Sequence, residues 1–350
     1  MSTVSVAITK LLRRLSVGRT PTSKFTKIVA AAVLGVSVAA AAAAHAKDYT
    51  VGVTIGDMGH PGHIRVWKTL QMRADELGIK LIILDDKRDL ATESSNIDTL
   101  ISKGVDGLLV MAANREGSVP ACKRAQAAGI KVLTIIDQAE GIPYVGSDFA
   151  SGAGAKMAGD YMVKDLAGKG GIVYIRGAAG TAVQNLRDIG FKEAIKDSPG
   201  IKVIFDQNGD WGEASGAKLM SDALTRFPNP NDIAAVFAHD DAMTAGAVEV
   251  AKKSGRLQGI RMYGTGGNGQ FLEMIKAGEG TMTAFQNGEL IAVRAMELMY
   301  KVLHGANVPQ VTSIDWLPVT RDNVQEFLDR FDAKEGVFRV PADWKIDPSK

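Results

Sequence analysis

The chain has 350 residues, 46% of them hydrophobic and 23% charged, with a formal net charge of +2. Lys10, Arg13, Arg14, Arg19, Lys24 and Lys27 precede every acidic residue, and an apolar, small-residue run from Ile28 to Ala44 then ends in Ala44-His45-Ala46. Basic, apolar and small-x-small in that order read as a secretory leader cleaved after Ala46, the alternative being a membrane anchor. Without those 46 residues, 304 remain and the charge falls from +2 to −4, six positive charges fewer. A mildly acidic chain of that length excludes an electrostatic footprint for nucleic acid and is long enough for about two domains. Cys122 is the only cysteine, so no intrachain disulfide forms, and a buried helical thiol is its expected role.

From Tyr49 onward, apolar β-branched runs alternate with amphipathic stretches. The runs are Tyr49 to Ile55, Ile79 to Leu84, Gly107 to Met111, Ile130 to Ile136, Gly171 to Arg176, Ile201 to Phe205, Ile233 to Ala238, Ile260 to Tyr263 and Thr281 to Phe285. Near-continuous apolarity is what strands covered on both faces require. Between the first two, Ile64, Trp67, Leu70, Ala74 and Leu77 recur at helical spacing, with Pro61 at the start and Gly78 at the end. The same punctuation returns at Ala128-Gly129, Ser254-Gly255 and Ala277-Gly278. The order βαβα predicts an α/β protein with parallel sheets wrapped by helices, in two lobes of four to six strands. No Pro/Gly/Ser-rich linker separates them, so several strands are expected to cross between the lobes.

Ligands of such sheets sit beyond the carboxyl ends of the strands. The polar residues placed there are Asp57, His60 and His63 after the first strand, Asp137 and Gln138 after the fourth, Asp210 and Trp211 after the sixth, Asp240 and Asp241 after the seventh, and Gln286 after the ninth. Carboxylates and amides match hydroxyls that both donate and accept, and an aromatic face matches sugar C–H surface. Each residue also has a plainer reading. Asp240 or Asp241 would cap the helix starting near Ala242. Trp211, within Asn208-Gly209-Asp210-Trp211-Gly212, is expected on a loop as an exposed ring, although a core tryptophan is the alternative. His60-Pro61-Gly62-His63 lacks further clustered histidines, so polar readout is preferred to a metal site. Gly264-Thr265-Gly266-Gly267-Asn268-Gly269 fits a dinucleotide-binding pattern, but Gln286 stands where a ribose-binding acid is needed. It is read as a tight turn near the ligand, with Asn268 able to offer its amide.

Ala74-Asp75-Glu76-Leu77-Gly78, Gly104-Val105-Asp106-Gly107-Leu108, Gly146-Ser147-Asp148, Ala158-Gly159-Asp160-Tyr161, Gly180-Thr181 with Arg187 and Gly190-Phe191, and Ala235 to Met243 occur in one order and spacing. Over these stretches the chain resembles periplasmic sugar-binding proteins of the ribose-binding type. The resemblance implies two Rossmann-like lobes joined by a three-stranded hinge: 47–147 with 286–314, and 148–285 with 315–323, crossing near Ser147, Gln286 and Asp315. The tail 324–350 lies beyond the family's usual end and has no assigned place. By resemblance, His60 replaces an amide, Gly62 and His63 replace two stacking aromatics, and Asn185 replaces an arginine. Trp211 keeps a stacking position, Asp240 replaces an asparagine, Gly266 an aspartate, Gln286 keeps a hinge glutamine, and Asp137 stands within one residue of an aspartate that grips hydroxyls.

The function expected is that of a periplasmic solute receptor for an ABC importer, closing on a small neutral sugar or polyol. His60, His63, Asp137, Asn185, Trp211, Asp240, Asn268 and Gln286 are the expected ligand-binding residues, with no cofactor and no metal. Its partners would be the membrane permease and, as a further candidate, a chemoreceptor. An enzyme using the same cleft, nucleotide-dependent or hydrolytic, and a regulator-like sensor of the same fold are the alternatives; the sensor would need a DNA-binding helix pair where the leader stands.

Overall fold

The computed structural model describes residues 48–147 and 152–348. The expected leader and the lobe boundary at Asp148 lie outside the described residues. The first lobe is laid out by β1 (Thr50–Ile55), β2 (Lys80–Asp85), β3 (Gly107–Val110), β4 (Lys131–Ile135) and β5 (Tyr144–Gly146), alternating with helices α1 (Pro61–Glu76), α2 (Leu90–Ser102) and α3 (Val119–Ala127). The second is laid out by β6 (Lys169–Arg176), β7 (Gly200–Asn208), β8 (Ala235–Ala238), β9 (Arg261–Gly266) and β10 (Met282–Phe285), with α4 (Ala153–Asp165), α5 (Ala182–Ile195), α6 (Glu213–Arg226), α7 (Asp241–Lys253) and α8 (Gly269–Ala277). The chain then returns through α9 (Gly288–Leu303), which packs on α1, to β11 (Val311–Ser313), and crosses once more to β12 (Leu317–Thr320).

Two six-stranded sheets result, in the orders β11-β5-β4-β3-β1-β2 and β12-β10-β9-β8-β6-β7. Every pairing within them is parallel except that of β12 with β10. Alternate residues of the central strands enter different cores, which is why those strands are apolar throughout. In β3, Leu109 packs with Val53, Leu70 and Met296 on one face, while Leu108 and Val110 pack with Ile97, Leu100 and Cys122 on the other. In β8, Val236 and Ala238 face Met220, Val248 and Phe271, while Ala235 and Phe237 face Phe191 and Tyr263. Cys122 is fully buried and its thiol is pushed up to about 12, mainly by desolvation, so it is an inert core residue.

All nine expected strands are present, and three more complete the sheets. β5, β11 and β12 have three, three and four residues, too short to show a period. β12 also carries Pro318, tolerated because this strand lies at an edge. The tail that had no assigned place is described through Pro348: α10 (Val324–Leu328) packs on α8, and a small hairpin of β13 (Phe331–Asp332) and β14 (Val337–Phe338) follows.

Helices α6 and α7 approach through glycine. A Cβ on Gly216 would lie 2.0 Å from Met243 O, and one on Gly246 would lie 2.1 Å from Glu213 O. Backbone on both sides leaves no flexible neighbour to move. Gly246→Ala should therefore destabilise the protein by about 1–3 kcal/mol despite alanine's better helix propensity. Urea unfolding measures this; an unchanged midpoint would mean that the helices separate freely.

Candidate functional site

The carboxyl ends of both sheets converge on one cavity of about 80 Å³, room for roughly half a dozen waters. Its walls come from both lobes and include His60, His63, Arg65, Arg88 and Asp137 from the first, Arg187, Trp211, Asp240, Gly266 and Asn268 from the second, and Gln286 at a crossing between them. Seven of the eight expected binding residues thus meet in one place. Asn185 does not: it is exposed on α5, and Arg187, two residues on, lines the cavity instead. A two-residue step on a helix turns a side chain by more than a right angle, so only one of these two positions reaches the cleft.

His60 is the N-cap of α1, and its Nδ1 accepts the Gly62 amide at 3.2 Å. That makes Nε2 the protonated nitrogen, and it lies 3.3 Å from Trp211 O and 3.4 Å from Asp240 Oδ1, both in the opposite lobe. His63 stacks obliquely on His60 with centroids 4.7 Å apart, and its Nδ1 donates to Asp57 O at 2.9 Å, leaving Nε2 as an acceptor. Burial above all, with the Arg88 guanidinium adding to it, holds the His63 imidazole well below its usual pKa, so it is neutral.

Asp240 has two tasks. Its Oδ1 accepts the Ala242 amide at 2.8 Å and caps α7, while the carboxylate also lines the cavity. Burial opposes its ionisation, but His60, Arg187 and the Ala242 amide outweigh burial and keep its pKa low. Trp211 is not the exposed ring expected from its loop. It is 7% exposed, at φ 72°, packed over Gly177 and beneath Arg187, whose guanidinium carbon lies 5.7 Å from the ring centroid. It belongs to the second-lobe core with Val183 and Met243, the alternative that the sequence offered, and beside it the first lobe reaches across where Arg88 donates to Asp210 O at 2.7 Å and Asn114 donates to Gly180 O at 3.3 Å. Gln286 Nε2 is shielded from solvent and has no hydrogen-bond partner among the described residues, so it is a donor in want of an acceptor.

The glycine-rich turn is built by Asp241 and is not an anion cradle. Asp241 Oδ2 accepts from Gly267 N at 2.6 Å and Asn268 N at 3.0 Å, and Thr283 donates to the same carboxylate. The amides that would hold a pyrophosphate are thus occupied, by a group that repels one. Gly266 and Gly267 have φ of 131° and 87°, conformations that glycine alone adopts without strain. Asn268 caps α8 through Oδ1, leaving its amide nitrogen toward the site.

Arg65 was not among the expected residues, although Arg65, Thr69 and Arg73 form a buried polar stripe at a spacing of four along α1. All five of its donors are used. Nε and one terminal nitrogen bind Glu289 at 2.9 and 2.7 Å, and the others reach Gly266 O, Gly267 O and Gln286 O at 2.9–3.0 Å.

Residues 51–307 match the family model described as the periplasmic binding protein domain. The chain belongs to that family. A ribose import binding protein of Bacillus subtilis is 31% identical over 271 residues, covering 76% of this chain and 86% of its own length. A xylitol-binding protein of Mycolicibacterium smegmatis is 27% identical and covers 87% of each chain. An ABC transporter solute binding protein from Bacillus halodurans, solved with bound myo-inositol, shares the fold at a TM-score of 0.76 and 22% identity, over 82% of this chain and 99% of that one. Membership of a periplasmic binding protein family carries a periplasmic location. No helix of the described residues is long and apolar enough to cross a membrane.

Behind the cavity of this binding protein, Asp86 is fully buried and pushed up to about 7, first by burial and then by the charges of Glu93, Asp85 and Asp137, against the Arg88 amide. The folded state keeps a proton that the unfolded chain releases near 3.8. The stability it confers is complete below that value and is lost as the pH rises toward 7, by up to about 1.4 kcal/mol per pH unit. Asp86→Asn should flatten this decline, raising the urea midpoint at pH 8 relative to pH 5. An equal change at both pH values would show that Asp86 titrates normally.

Proposed function

We propose that this periplasmic binding protein takes a small neutral sugar or polyol between its lobes, closes by rotation about the three crossings, and presents it to the permease of an ABC importer. The lobes that rotate would be 47–147 with 286–314, and 148–285 with 315–323. Export would follow from the leader, cleaved after Ala46. The closed face is what a permease reads, and a chemoreceptor would read the same face.

One observation carries this reading: hydrogen-bonding side chains of both lobes, with His60 directed at Asp240, enclose a single cavity of monosaccharide scale. A ligand favours the closed form only by touching both walls, because it shifts an equilibrium by differential contact alone. Neutrality follows from charge. Arg88 donates to Gly56 O and Asp210 O and pairs with Asp57, and Arg187 lies close enough to Asp240 to lower its pKa, so the cations meet carboxylates already present, while Asp137 and Asp240 repel an anion. Asp137, Asp240 and His63 Nε2 then supply acceptors, Gln286 and Asn268 supply donors, and Trp211 supplies an apolar face, the complement of a hydroxylated carbon skeleton. The ribose- and xylitol-binding relatives point to the same ligand class.

In this reading the chain is a receptor and not an enzyme, its carboxylates accepting hydrogen bonds without transferring protons. Melting the protein with D-ribose, other pentoses, hexoses, inositols and linear polyols should reveal at least one that raises Tm. Calorimetry with that ligand should then show Asp240→Asn binding at least about tenfold more weakly, the loss of one charge-assisted hydrogen bond, with Tm unchanged because asparagine still caps α7. If no member of these classes raises Tm, the proposed ligand class is wrong.

A further inference from the structure

The segment beyond β12 is fixed to both lobes. On the second, Val324, Phe327 and Phe338 belong to the core of α7, α8 and β10, with Phe327 and Phe338 at 4.8 and 5.1 Å from the Phe285 ring. On the first, Lys68 bonds Glu335 at 3.0 Å and Lys345 bonds Glu76 at 2.5 Å. Arg73 donates to Ile346 O at 2.7 Å, and Ile346 N donates to Glu297 at 2.8 Å. One stretch of chain therefore runs from one lobe to the other beside the crossings.

Between its two anchorages lies Arg65. The Phe285 and Phe338 rings, edge to face with centroids 5.1 Å apart, pack side by side against its guanidinium, each centroid 4.7 Å away, and Glu289, its carboxylate partner, also accepts Phe338 N at 3.0 Å. Arg65 rides on α1 of the first lobe, yet two of its acceptors, Gly266 O and Gly267 O, belong to the second. Parting the lobes strips a buried guanidinium of those acceptors, which is unfavourable without replacement partners. Phe338 packs against this guanidinium, which is only 3% exposed.

We propose that the segment from Val324 onward is a cross-lobe strap that seats the Arg65 clamp and holds this binding protein closed in the absence of ligand. The idea rests on the closing motion proposed above, but the strap's anchors on the first lobe, Glu335, Lys345 and Ile346, lie outside the cavity walls. A resting closed population raises apparent affinity by removing the cost of selecting the competent form. It also makes opening the step through which ligand must enter and leave.

The test needs no ligand. Nitroxide labels on Lys103→Cys and Lys218→Cys place one probe on each lobe, since both lysines are exposed and Cys122 is buried. Electron–electron double resonance on the ligand-free full chain should give one narrow distance. Ending the chain at Arg339 keeps Phe338 but removes the Ile346 and Lys345 anchors; it should raise the population of a second, longer distance at least about tenfold. Should the shortened chain fail to fold, the exposed charge reversals Glu335→Lys with Lys345→Glu should shift the distribution in the same direction. Identical distributions in the folded variants, or a full chain that is already open, would overturn the strap. A wrong ligand class would leave the outcome unaffected.

Discussion

A guanidinium taken out of water must find an acceptor for every N–H, and Arg65 finds them on three separate parts of the chain. Glu289 comes from α9, Gly266 and Gly267 from the turn after β9, and Gln286 from the crossing after β10. The lobes are thereby held in one register at the edge of the cavity. His60 is then brought within reach of Trp211 O and Asp240 Oδ1, each more than 150 residues away in the chain. Much of the rest of the architecture serves to deliver these groups: parallel strands point their carboxyl ends one way, and helices on both faces make those strands rigid.

The cavity depends on buried carboxylates with divided duties. Asp240 and Asp241 are adjacent in sequence and both line the cavity, yet one caps a helix while the other organises the glycine loop. Burial, then the charge of Asp240, pushes Asp241 up to about 7, while Thr283 and two loop amides pull it down. A loop positioned by its amides in this way presents carbonyls toward Arg65, the opposite polarity from a phosphate-binding loop. The same six-residue pattern therefore builds a wall against a neutral ligand.

Much of the fold was legible because apolar runs and helical punctuation are local. The nine runs of β-branched residues became strands, and Pro61 and Gly78 bracket α1 as their backbone preferences dictate. β5, β11 and β12 were not legible, since three or four residues carry no period and their pairing is decided by distant partners. For the candidate site, polar residues after strand ends pointed to His60, His63, Asp137, Trp211, Asp240 and Gln286, which line one cavity. Arg65 escaped because it stands mid-helix, where a lone arginine usually marks solvent, and its acceptors lie some 200 residues away. Arg187 escaped for a related reason: the position matched to the family's arginine was Asn185, whose side chain the helix turns outward. Trp211 lies in the expected loop but is buried, because the side chains of its own lobe that pack on it, Val183, Arg187 and Met243, come from helices that the local sequence does not show beside it.

The order of the strands bears on how the molecule is made. The first sheet is completed at its edge by β11, and its helical layer by α9, both synthesised after the whole of β6 to β10. The amino-terminal half therefore emerges from the ribosome without the pieces that cover its apolar face, and cannot finish folding until the distal third has followed. A chain that stays unfinished until nearly all of it exists is suited to crossing a membrane unfolded and assembling on the far side. Its single cysteine, buried and unreactive, lets that assembly proceed with no disulfide to be formed or corrected.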